Sequence, residues 1–81
     1  MKTIVEKNTN ISKYIFDDSV NIIMLDDKTV TSVLIISDLT ISNAVVVENV
    51  TPPEDWTCDK YLYIDGNWEL NQNWEPPNAL K

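Results

Sequence analysis

KYLYIDGNWEL, residues 60–70, reads as two short strands folded back on each other. Tyr, Ile, Trp and Leu suit a pleated, half-buried surface. Asp65-Gly66 suits a two-residue turn in which both central positions need positive φ. With Asp65-Gly66 as the loop, Tyr63 faces Trp68 and Tyr61 faces Leu70, which gathers Tyr61, Tyr63, Trp68 and Leu70 on one face. With a three-residue loop, Asp65-Gly66-Asn67, Ile64 faces Trp68 instead. Leu62, Ile64, Trp68 and Leu70 then share a face, and Tyr61 and Tyr63 stand on the other beside Glu69. Side chains alternate with a period of two, so one residue of slip exchanges the faces. Both registers are open to the sequence.

Outward from this hairpin the chain reads as strand after strand. TIVEK (3–7), KYIFD (13–17), VNIIML (20–25), TVTSVLIIS (29–37), NAVVVENV (43–50) and KYLYI (60–64) are rich in Val, Ile, Thr and Tyr. Asn8-Thr9-Asn10, Asp17-Asp18-Ser19, Asp26-Asp27-Lys28, Ser37-Asp38 and Pro52-Pro53 punctuate them. Asn and Asp hydrogen-bond their own backbone and tolerate turn geometry, so they turn a chain that contains one Gly. No segment carries apolar residues at helical spacing over three turns, although Pro52-Pro53-Glu54-Asp55-Trp56 would suit one short turn of helix. The expected fold is all-β. It is a small antiparallel sandwich or partly open barrel, ending in the Asp-Gly hairpin and an extended Pro-rich tail. Residues 1–75 form one domain, with 51–75 as an aromatic hairpin module, and residues 76–81 form the tail.

Two apolar runs stand out. Val33 to Ile36 and Ala44 to Val47 do not alternate, whereas a strand with one wet face should. Unbroken runs imply cover on both faces, which a chain of 81 residues is hard pressed to supply. Either the chain folds around itself as a small sandwich or barrel, or one face meets another molecule. The shortage of core favours the second, with Val33, Ile35, Val45 and Val47 as candidate contacts.

Composition narrows the function. A chain of this length buries only roughly 60% of the surface its unfolded form exposes, so its core is marginal without support. One cysteine, Cys58, excludes an intrachain disulfide, and the absence of His argues against a structural zinc site. Thirteen Asp and Glu stand against six Lys and no Arg, with the Lys scattered singly, so nucleic acid is not an expected partner. No apolar run approaches the ~20 residues of a membrane span, and no secretory leader is read in MKTIVEK. The sequons at Asn10 and Asn49 read as chance matches, and a free thiol fits a reducing cytoplasm.

Catalysis is not expected. There is no His to act as base, and Cys58 has only Lys60 as a cationic neighbour. Asp55 and Asp59 form a carboxylate pair of the kind that hydrolyses sugars, but acids crowd any chain this acidic. Asp17-Asp18 and Asp26-Asp27 read as turn formers rather than calcium ligands, and no cofactor is implied. The aromatics carry more. Trp56, Tyr61, Tyr63, Trp68 and Trp74 suit either sugar stacking or protein contact. Trp56 and Trp68 read as core. Tyr61, Tyr63 and Trp68 are candidate stacking surfaces for a glycan. Trp74, in a polar segment ending in Pro76-Pro77, reads with those prolines as an anchor onto a neighbour.

The pattern Pro52-Pro53-x-x-Trp56, Lys60-Tyr61, Asp65-Gly66-x-Trp68, Asn73-Trp74 resembles a C-terminal module of small structural and appendage proteins of marine cyanobacterial phages. The likeness covers about the last 30 residues and, more weakly, the opening MKTIVEKNTNISKYIF. The chain departs from the pattern at Thr57-Cys58-Asp59, where Gly is usual, and at Gln72-Asn73, where Pro is. The resemblance implies a virion component made in the host cytoplasm. Its partners would be other capsid or tail proteins and further copies of itself. A receptor module that binds host surface glycans, and an intracellular modulator of a host target, are the alternatives.

Overall fold

The structure, a computed structural model, describes residues 1–75. It is all-β and antiparallel. Eight strands run in the order β1 (Lys2–Glu6), β2 (Ser12–Phe16), β3 (Ile22–Met24), β4 (Thr29–Thr31), β5 (Ile35–Ile36), β6 (Ala44–Val47), β7 (Tyr61–Ile64) and β8 (Asn67–Leu70). They form three sheets, ordered β2-β1-β6, β3-β4-β5 and β7-β8, without closing into a barrel. Pro76 and Pro77 lie outside the described residues.

The first two sheets meet over the main core. Ile4, Phe16 and Ala44 from β2-β1-β6 pack with Ile36 and Leu39, and half-buried Tyr14, Val46, Val20, Ile22 and Met24 close around them. Tyr14 and Phe16 lie two residues apart on one face of β2 and stack with centroids 5.8 Å apart. A bulge between Ile4 and Val5 moves the register so that Val5 faces Ser12 while Ile4 faces Tyr14. Lys13 is the extra residue.

The opposite face of β2-β1-β6 is covered by the chain itself. Thr3, Val5 and Ser12 are buried there, as is Val50. The cover is the segment after β6. Met1 and Val50 exchange backbone hydrogen bonds, and Trp56 reaches Ser12. The hairpin continues the attachment, because Tyr63 N donates to Asn10 O at 2.8 Å and Ile11 bridges Leu62. The middle sheet thus gets both covers from its own sequence.

Three expectations change. The stretch 29–37 is not one strand. Thr31 N donates to Leu34 O at 2.9 Å, and Thr31 Oγ1 accepts from Val33 N and Leu34 N, so Thr31-Ser32-Val33-Leu34 is a tight turn between β4 and β5. A threonine hydroxyl that satisfies the backbone in this way competes with the sheet ladder. Val33 is accordingly 64% exposed rather than doubly covered. At 52–56 there is no helix: Trp56 N donates to Pro53 O at 3.0 Å, closing a single turn.

Candidate functional site

The register of the second sheet builds one face. Ile23 pairs with Val30, and Val30 pairs with Ile35, so the three side chains stand in a row across three strands. Neighbouring residues point the other way, which is why Ile22, Met24 and Ile36 serve the core. The row faces outward. Ile23 is 57% and Ile35 66% exposed, and Val33 in the adjoining turn is exposed as well. No charged residue occurs in 20–25 or 29–37, so the face is apolar and uncharged in a chain of net charge −7.

Strand edges border this face. Leu25 N donates to Lys28 O and Ser32 N to Asn21 O, which by the two-residue alternation of antiparallel ladders makes Ile23·Val30 a hydrogen-bonded pair. Val30 therefore spends its main chain on β3. Val30·Ile35 is a non-bonded pair, and the N–H and C=O of Ile35 point away from β4. On β6, Lys7 N donates to Asn43 O, and the same parity turns the main chain of Val46 outward from β1. Val45 is 43% exposed and Val47 half-buried. Of the four apolar residues singled out from sequence, Ile35 belongs to the uncharged face, Val33 to the turn before it, and Val45 and Val47 to a different sheet. Ile23 and Val30 had no signal beyond the lack of charge around them.

The hairpin holds the second candidate surface. Tyr61 pairs with Leu70, Leu62 with Glu69, Tyr63 with Trp68 and Ile64 with Asn67, the register of the two-residue loop. Asp65 and Gly66 have φ of 51° and 84°. Asn71 N donates to Lys60 O, so parity makes Tyr63·Trp68 a non-hydrogen-bonded pair, the type that brings side chains closest. The two rings are 4.7 Å apart at 62°, and Tyr61 meets Trp68 nearly perpendicular at 6.4 Å. Tyr61, Tyr63 and Trp68 thus share one face, and each tyrosine meets Trp68 edge-on. All three are half-buried.

A polar network lies beside the rings. Asp55 accepts from Lys60 Nζ at 2.7 Å and from the Tyr61 hydroxyl at 2.8 Å. Lys60, then Tyr61, hold the Asp55 carboxyl below its ordinary range, and the Asp55 bond raises the Tyr61 phenol. Lys60 Nζ also sits 5.0 Å from the centre of the Trp74 ring. Trp74 is half-buried, with its N–H bonded to Asn71 O. Asn71 Nδ2 in turn donates to Asp59 O at 2.8 Å. The segment after β8 is thereby folded back onto the loop that precedes β7.

The other sequence candidates have local roles. Asp17 accepts from the backbone and hydroxyl of Ser19, and the hydroxyl, then the backbone bond, lowers its carboxyl. Asp55 and Asp59 are each bound to a lysine: Asp59 Oδ1, closed off from solvent, has Lys13 Nζ at 2.6 Å. That bond, outweighing burial, raises Lys13. Cys58 is exposed as a residue, and partial burial of its sulfur, then Asp59, pushes the thiol up. Among the described residues no helix is long and apolar enough to cross a membrane. No family model matches the chain, and comparison with curated proteins and with solved structures returns no match.

Proposed function

We propose that the chain is a small, non-catalytic structural component of a bacteriophage particle that docks on the capsid or tail through the outer face of β3-β4-β5. The observation that carries the docking is the row Ile23, Val30 and Ile35 on an uncharged sheet face, with Ile23 and Ile35 exposed and Val30 half-buried between them. Contiguous apolar surface of this kind marks contact sites in soluble proteins. The phage assignment rests on the resemblance of residues 51–75. Quantitative mass spectrometry of purified particles whose genome encodes the chain tests it. A copy number near that of the major capsid protein, or a simple fraction of it, fits capsid decoration, and a few copies fit a tail component. Absence from particles overturns the reading and leaves an intracellular target.

A second reading is favoured by one observation, the gathering of Tyr61, Tyr63 and Trp68 on one hairpin face. Such a face suits a pyranose ring, with Asp55 and Lys60 alongside for its hydroxyls. Glycan binding by the isolated protein that falls with Tyr61→Ala supports it. Absence of glycan affinity removes it.

A further inference from the structure

We propose that two copies of this chain pair through their β5 edges, related by a two-fold axis at Ile35. The inference uses part of the docking face proposed above but needs no phage particle.

Ladder parity leaves the Ile35 N–H and C=O unpaired and directed outward, on a residue whose side chain is 66% exposed. Unpaired edge groups beside apolar side chains are templates for strand addition. β5 is only two residues long, but the charged and proline blocks common on edges are absent from it, since residues 29–37 contain no Lys, Pro, Asp or Glu. Charge then selects the occupant. A chain of net charge −7 repels its own copies, so self-contact has to occur where charge is missing, and this edge qualifies. A strongly basic partner would find no countercharge on it. The edge of β8, by contrast, carries Glu69, and β6 runs into Glu48.

The geometry is self-complementary. In an antiparallel pair centred on Ile35, each copy donates its Ile35 N–H to the other's Ile35 C=O, which is the isologous contact a two-fold dimer requires. The two three-stranded sheets become one of six strands. The apolar row then runs unbroken from Ile23, Val30 and Ile35 of one copy to Ile35, Val30 and Ile23 of the second. Among the described residues, seven buried apolar residues against nine large exposed ones show how much surface remains to be covered.

Sedimentation equilibrium of the isolated chain over a range of concentrations tests the pairing. The expected result is a mass rising with concentration from 9.3 kDa towards twice that value. Amide hydrogen exchange should slow at Ile35 over the same range. Ile35→Lys, which places two ammonium groups side by side at the axis, should weaken association by about tenfold or more. Val45→Lys on the other sheet should leave it unchanged, and circular dichroism checks that both variants fold. A chain that stays monomeric overturns the proposal. So does a dimer that survives Ile35→Lys, or one whose Ile35 amide exchanges freely. Presence in or absence from particles decides the proposed function separately.

Discussion

Trp56 donates its indole N–H to Ser12 Oγ over 3.0 Å, joining residues 44 apart in the chain. The bond heads a directed series. Thr3 Oγ1 donates its one proton to Tyr14 O, so the 2.6 Å contact between Thr3 and Ser12 must be donated by Ser12. Protons therefore run from Trp56 to Ser12, from Ser12 to Thr3 and from Thr3 to the backbone, with Thr3 and Ser12 fully buried. Each hydroxyl is satisfied only while its neighbours are present.

Ser12→Ala should cost about 2 kcal/mol, because it leaves a donor and an acceptor without partners, whereas Trp56→Phe should cost about 1 kcal/mol. The double variant should cost less than the two together, since each single change already breaks the series. Chemical denaturation of the four proteins measures this. Strict additivity would mean that Trp56 and Ser12 act independently.

Gly66 has φ of 84° with nothing near a Cβ placed there, so Gly66→Ala meets strain in the backbone alone. The expected loss is about 1 kcal/mol. It should appear as faster amide exchange at Asn71 and Glu69, whose N–H groups face β7, before any change in the two larger sheets. An unchanged denaturation midpoint would show that the turn accommodates alanine by leaving the two-residue geometry.

The hairpin was legible because Asp-Gly and its flanking residues act locally, and its face was not, because one slipped residue changes the face without changing the strand. All-β character followed from Val, Ile and Thr content. What the sequence concealed was the break at Thr31-Ser32. Thr is at home in strands, and its residue type does not show the hydroxyl taken up by the turn that Leu34 closes three residues on. The same limit hid the outer face. Val33 to Ile36 looked like a doubly covered strand, but two of those residues form a turn and the other two face opposite ways. Trp74 was read from its polar surroundings as reaching outward. The Lys60 ammonium over its ring depends on how residues 71–74 fold back, which no local pattern encodes.

Asp55 and Tyr61 shift in opposite directions, and the signs define a window. The carboxyl is lowered by Lys60 first and Tyr61 second, so its stabilising effect is present above the unfolded-state value and is lost as pH falls through the lowered folded one. The phenol is raised by Asp55, so its effect is present below the unfolded-state value and is lost as pH rises through the raised folded one. The Asp55–Tyr61 bond therefore persists from mildly acidic to mildly alkaline pH. Tyr61→Phe should move the Asp55 titration up only part of the way to the ordinary range, because Lys60 remains, and carbon-detected NMR titration reads it. A complete return would assign the whole effect to the tyrosine.

Ile23 separates a docking role from a folding role. Its side chain is 57% exposed and points away from the core that Ile22 and Met24 serve. Ile23→Thr keeps the β-branched shape that suits the strand while removing apolar surface. Far from any buried partner, the change should alter the stability of the dilute chain by no more than about 0.5 kcal/mol. Incorporation into particles, measured by mass spectrometry against wild type, should nevertheless fall. Val45→Thr, on the other sheet, should be incorporated normally. A variant destabilised even at high dilution would show that the chain's own fold needs Ile23. A variant both stable and normally incorporated would move docking to the aromatic hairpin, where Tyr61, Tyr63 and Trp68 present the other apolar surface.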